Sequence, residues 1–448
     1  MRLWKRRPRA AFVLSTLALF SLALQSAPAD AEELTQYFPV TIKGQPAAKR
    51  ESGWRINWRV LPPARDKIAQ HGYGMAAVWE FQSIDFMKGY RPDGSEDWVR
   101  ILNRLALAEM YVPYNQYKQE FFDITSYAFN MVRPNVNFFP KSGIVSGRVH
   151  QDGYVLSEIG DDHVRWIDNN NVNERGQPED RVLRGQVLNV WATFFSENYR
   201  YVLRYGFHDD GTISVRVGGT AENFFPLYDK KGVSHDFATH LHMGGWRMEF
   251  NLGNSRTNTI EIIERDHDQA GRPYTNKRPF NGGREGGEVW DPTKFSVLRI
   301  TSGQTRNRAE PPRLIGYTLR PVRNGSVRTR QDFTKADFWV SRLQPDQSPR
   351  SQRGVELRFI DVAKNVLPRP EPLQGKAAVV WHQAGLNHIV RNEDYGVTGR
   401  KDQGAAINSW VGFDLVPSNL WHRTPFLERS NAPDRGDRRH DDDRHGRR

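Results

Sequence analysis

Cysteine is absent from all 448 residues. Disulfides, thiolate metal ligands and a cysteine nucleophile are therefore excluded, and any metal must be held by His, Asp or Glu. Long apolar runs are scarce as well. The one of note, Ala10 to Leu24, is shorter than the roughly 20 residues a membrane-spanning helix needs. It follows Met1-Arg2-Leu3-Trp4-Lys5-Arg6-Arg7-Pro8-Arg9 and leads to Ala29-Asp30-Ala31, the pattern of a secretory signal peptide cleaved after Ala31. The mature chain is expected to be soluble and exported, either periplasmic or secreted. Arg6-Arg7 hints at twin-arginine export, but Pro8 and the missing flanking pattern favour an ordinary signal. An acidic excess is also lacking, since the formal charge is +12. A basic surface permits anionic partners without naming one. Arg and Lys are spread along the chain rather than clustered with aromatics, and no helix-turn-helix or zinc-finger spacing appears, so no nucleic-acid partner is expected.

Helical periodicity is scarce, with Ser95 to Leu107 the best candidate. Strand signals dominate instead. Trp54-Arg55-Ile56-Asn57-Trp58-Arg59-Val60 and Lys294-Phe295-Ser296-Val297-Leu298-Arg299-Ile300 alternate with period two, as half-buried strands do. Tyr199 to Phe207, then Asp209-Asp210-Gly211, then Thr212 to Val217 reads as a hairpin with a glycine-containing turn. No internal repeat or long linker interrupts the chain between Glu32 and Glu428. From Ser430 to Arg448 it is almost only Arg, Asp, His and Gly, which cannot offset its ordering entropy by burial. The expected organisation is a signal peptide over 1–31, one domain over 32–429 and a disordered charged tail over 430–448. The expected class is mainly β, a large antiparallel β-sandwich.

Four features could carry chemistry. His240 and His242 in Thr239-His240-Leu241-His242-Met243 would point to one face of a strand and could share an ion, although such pairs are more often simply solvated. His388 follows the apolar run of Val379-Val380-Trp381-His382, so it is either a hydrogen-bonded core histidine or a third ligand. His382 competes with it for that role. Tyr199 and Tyr201 head the hairpin in Ser196-Glu197-Asn198-Tyr199-Arg200-Tyr201, where alternate tyrosines usually pack against neighbours. Glu109-Met110-Tyr111-Val112-Pro113-Tyr114, followed by Phe121-Phe122-Asp123, sets a carboxylate among aromatics, and desolvation there would raise its pKa toward that of a general base. Many such aspartates are turn or cap residues.

Together and in this order, these features resemble the copper-containing amine oxidases: Asn-Tyr-x-Tyr, a hairpin with Asp-Gly-Thr-Ile, His-x-His, then Trp-x-x-x-Gly-x-x-His ending in Arg-x-Glu-Asp. The stretch Leu107 to Tyr114 is similar to the family's segment ahead of its catalytic aspartate, and Pro417 to Leu427 to its closing segment. The resemblance runs from about Trp54 to Leu427 and covers the family's catalytic domain. It implies that Tyr199 is oxidised to topaquinone, a trihydroxyphenylalanine quinone, while His240, His242 and His388 hold copper. Asp123 matches the catalytic base, Tyr114 the tyrosine that hydrogen-bonds the quinone, and Asn198 a residue that helps hold its ring. Phe121 matches an aromatic of the substrate channel. The implied reaction takes a primary amine, O2 and water to aldehyde, ammonia and hydrogen peroxide, in a homodimer. One rival is a redox-inactive relative serving as a binding or structural module. Another is a copper enzyme acting on an unusual amine or a peptide-borne lysine.

Several positions depart from the family pattern. Arg200 stands where an acid is usual, Phe195 where Thr or Ser is usual, and Ser126 replaces an acid. Glu249, Asn251 and Ala377 occupy the places of calcium-binding aspartates, so a structural calcium is not expected. The family's disulfide is missing, and the small domains that usually precede this one are not recognised.

Overall fold

A computed structural model describes residues 31–39, 50–61, 78–114, 120–124, 129–132, 148–150, 154–172, 178–196, 199–221, 239–343, 359–391, 394 and 406–421. The leader, the charged tail, Asn198 and Ser126 lie outside them. Among the described residues two antiparallel sheets form. One has nine strands, in the spatial order Glu32–Pro39, Arg50–Leu61, Val78–Tyr90, Glu96–Pro113, His240–Phe250, Ala378–His388, Phe338–Arg342 and Gly286–Glu288, with Glu120–Phe122 paired to Glu96–Pro113. The other has eleven, in the order Pro273–Pro279, Asn258–His267, Val297–Arg306, Leu314–Val322, Ala406–Ser418, Ile213–Ala221, Tyr199–His208, Pro178–Ser196, Val155–Val172 and Arg148–His150, with Asn130–Val132 paired to Pro178–Ser196.

The expected β-sandwich is thus the observed architecture. Alternation produces it: Trp54, Ile56 and Trp58 are fully buried, while Arg55 between them pairs with Asp85 on the outer face. Trp54 of the first sheet meets Phe207 of the second at 5.3 Å between ring centroids, and Trp246 meets Phe413 at 5.4 Å. The hairpin forms as read, from Tyr199–His208 and Ile213–Ala221, with Gly211 at φ +92° closing the turn. A second, smaller core lies on the outer face of the first sheet, where Phe359, Val362 and Val366 pack over Met243, Trp339 and Trp381. Among the described residues no helix is long and apolar enough to cross a membrane.

Two sequence expectations need correction. Ser95 to Leu107 is not helical: from Glu96 on it belongs to the strand Glu96–Pro113, paired on one side with Val78–Tyr90 and on the other with His240–Phe250. Lys294 to Ile300 is a strand only from Val297, because Pro292–Lys294 is a 3-10 turn and Phe295 has φ +50°.

Candidate metal centre

The strand ends carrying the motifs meet at one edge of the sandwich. His240 opens the strand His240–Phe250 and His388 closes Ala378–His388, and the antiparallel register sets these two residues opposite each other. Tyr114, just beyond Glu96–Pro113, bridges to His240. Its ring lies nearly flat on that imidazole, with centroids 4.4 Å apart. Two glycines let the ligand strand pack this closely. A Cβ on Gly244 would come within 2.5 Å of the Trp246 ring, and one on Gly245 within 2.5 Å of Phe359.

His240 and His242 are buried and face inward, and their nitrogens and those of His388 lie within 4.8 Å of one another. His240 Nε2 is 3.3 Å from His388 Nδ1. The second sheet supplies a phenol to the same point: the Tyr199 hydroxyl is 2.6 Å from His240 Nε2 and 2.9 Å from His388 Nδ1. Burial pushes the pKa of His242 well below the ordinary imidazole value, and His240 and His388 push the same way. Burial lowers His388 too, against an opposing pull from Asp394. Three imidazoles whose nitrogens converge suit copper(II) and leave coordination positions open, and burial favours the neutral form of His242 and His388. The donor set therefore fits the metal that the sequence resemblance implies.

Asp123 is buried and held by its main-chain N–H, which donates to Met110 O at 2.8 Å. Glu109 Oε1 secures the same turn by accepting from the Ile124 N–H at 3.3 Å. Burial raises the pKa of Tyr201 well above the phenol value, and the Asp123 carboxylate, which accepts a hydrogen bond from its hydroxyl, raises it further. The same hydroxyl is 3.1 Å from His242 Nδ1. Tyr201 thus links Asp123 to His242, a role that alternation along the strand could not reveal. Phe121 is partly buried, its ring edge-on to Tyr114 at 5.8 Å.

Local pattern leaves His388 and His382 open, the family resemblance implies His388, and the register sets His388 opposite His240. His382 pairs with Trp246, remote from His240. It is fully buried, stacks on Phe338 and reaches Asp337 O through Nδ1 at 3.0 Å. Burial lowers its pKa to about 4, which makes it a neutral core histidine.

Two departures from the family pattern prove to be one local pair. Arg200 and Phe195 are cross-strand partners, with the guanidinium 3.8 Å from the ring centroid. Arg200 is exposed whereas Tyr199 and Tyr201 beside it are buried, so the substitution stays off the site. At the positions that the resemblance gives to calcium ligands, the residues have contacts within the protein. Glu249 is taken by Arg247 at 2.5 Å, Asn251 donates to Asn103 Oδ1 at 2.8 Å, and Ala377 brings only its carbonyl, bonded to the Leu343 N–H. A hard dication needs several carboxylate or carbonyl oxygens at once.

The family model for copper amine oxidase, enzyme domain, matches residues 162–435, well over half of the chain. The chain belongs to the copper amine oxidase family. A primary amine oxidase of Arthrobacter sp. (strain P1) is 22% identical over 73% of this chain and 54% of its own length. A primary amine oxidase of Klebsiella aerogenes is 22% identical over 55% of this chain and 37% of its own. The chain thus spans about half or less of the length of these relatives. Among solved structures, a copper-containing benzylamine oxidase from Hansenula polymorpha superposes with a TM-score of 0.60 at 15% identity, over 85% of this chain and 61% of that one. A lysyl oxidase from Pichia pastoris gives 0.56 at 15%, over 85% and 53%. At such identities the likeness shows the shared fold. Membership of the copper amine oxidases implies copper and a tyrosine-derived quinone.

Proposed function

We propose that the chain is an exported primary-amine oxidase, working as a homodimer, that binds copper through His240, His242 and His388 and carries topaquinone made from Tyr199. The observation that carries this reading is the position of the Tyr199 hydroxyl, 2.6 Å and 2.9 Å from two of the three ligand nitrogens. When bound, copper and the quinone supply the redox chemistry by which a primary amine, O2 and water become an aldehyde, ammonia and hydrogen peroxide.

The chain's own residues perform the rest. The buried histidines offer neutral nitrogens, and Tyr114 closes one side of His240 with its stacked ring. Asp123 takes the proton from the substrate carbon next to nitrogen, the general-base step. Its turn is anchored by Met110 and Glu109, so the carboxylate is aimed before substrate arrives. Phe121, against Tyr114, borders the approach for the amine; a part for Asn198 in holding the ring rests on the family resemblance alone.

Tryptic mass spectrometry of copper-loaded, aerated protein tests this directly. The peptide containing residue 199 should gain two oxygens and lose two hydrogens, and the same preparation should release peroxide from a primary amine. A copper-bound protein with an unmodified Tyr199 peptide would refute the reading.

A further inference from the structure

Asp394 has no role in the site as described so far, yet it is completely buried beside it. Its Oδ2 accepts from the Arg391 main-chain N–H at 2.8 Å and faces His388 Nε2 at 3.1 Å. Its Oδ1 accepts from the Arg391 guanidinium at 2.9 Å. A carboxylate enclosed by a guanidinium and a main-chain donor is an acceptor only. The proton in the contact with His388 must therefore sit on Nε2. In a neutral imidazole the lone pair then falls on Nδ1, the atom turned toward the Tyr199 hydroxyl and His240.

We infer that Asp394 is a positioning residue that locks His388 in the Nε2–H tautomer and so presents Nδ1 to copper, with Arg391 orienting the carboxylate. This rests on the copper site proposed above. The sequence leaves the role unassigned because Asp394 lies six positions beyond His388, outside the strand, and reaches the ring only when the chain turns back. It complements Tyr201, which occupies the far nitrogen of His242 from the opposite sheet. Asp394 adds a full negative charge, which makes the ring a stronger donor as well as a better oriented one.

The test uses the full-length protein stripped of metal, at a pH where its histidines are neutral. Nitrogen-15 spectra of histidine-labelled protein, with His388 assigned by its loss in His388→Gln, should show the proton on Nε2. In Asp394→Asn that preference should weaken. Copper affinity, measured by competition with a chelator on variant protein whose circular dichroism shows it folded, should fall roughly 10–100-fold as for lost outer carboxylate partners. Arg391→Ala, which keeps the carboxylate on His388, should lose much less. A wild-type spectrum with the proton on Nδ1 overturns the inference even if the variant fails to fold, as does an Asp394→Asn protein with wild-type copper affinity. Failure of wild-type protein to bind copper would instead reject the copper site itself, leaving the tautomer measurement to judge Asp394 separately.

Discussion

Tyr199 and Asp123 meet different demands, and substitution should separate them. On the proposed reading, oxidation of Tyr199 would depend on the ring and on the metal held by the three histidines, whereas turnover would also need a base for a carbon-bound proton. In Asp123→Asn the quinone should still form and react with a hydrazine probe, while amine turnover falls by at least roughly 10²–10⁴-fold, the contribution of a positioned general base. Tyr199→Phe should keep copper and lose both the quinone signal and activity. Near wild-type oxidation by Asp123→Asn would remove it from the mechanism. At this scale the sequence was legible wherever a period of two sets the geometry, as for His240 and His242. Periodicity alone could not choose between His382 and His388, because they lie an even number of residues apart on one strand; the motif resemblance pointed to His388, and the register sets that residue opposite His240. Tyr201 and Asp394 stand in the motifs Asn-Tyr-x-Tyr and Arg-x-Glu-Asp, but their contacts with His242 and His388 form across sheets or around a turn, so the motifs carry the residues and not the partners.

At the scale of elements, the strand His240–Phe250 carries His240 and His242 at its start and an ionic cluster at its end. There Arg247 and Arg104 lie against Glu249, and Arg104 and Arg59 against Glu80. With Glu249 already neutralised, removal of calcium by a chelator should leave the melting temperature unchanged when copper is held constant. A drop reversed by calcium would show that the cluster opens to admit the ion. The neighbouring strand Glu96–Pro113 explains the one false helix. Val99, Leu102 and Leu105 recur at three-residue spacing, the mark of an amphipathic helix. Here the spacing arises because register shifts interrupt its pairing and both faces are covered toward its C-terminal end. Alternation fails as a guide where a strand is buried on both sides.

For the whole molecule, acid should find the sandwich through its core. His382 has a folded pKa of about 4 against an ordinary 6.5, so the unfolded chain takes up the proton first as pH falls. The stabilisation is complete above pH 6.5 and drains away toward pH 4, by up to about 3 kcal/mol for a shift of this size. Melting temperatures measured across that window should fall less steeply with acid in His382→Gln than in wild type, and equal slopes would reject the assignment. The two-sheet class was legible because most strands bury one face and display the other. The pairing order was not, since strands far apart in sequence become neighbours, as Glu96–Pro113 and His240–Phe250 do.

Strand order also has a consequence in time. Ala378–His388 enters between His240–Phe250 and Phe338–Arg342, both of which precede it in the chain. As the polypeptide emerges, Tyr199, His240 and His242 are present well before the strand that fills the gap and supplies His388. An incomplete chain therefore offers a weak two-point chelate next to an intact phenol. On the proposed reading, firm capture of the ion and oxidation of Tyr199 would wait for one of the last strands to close the sheet.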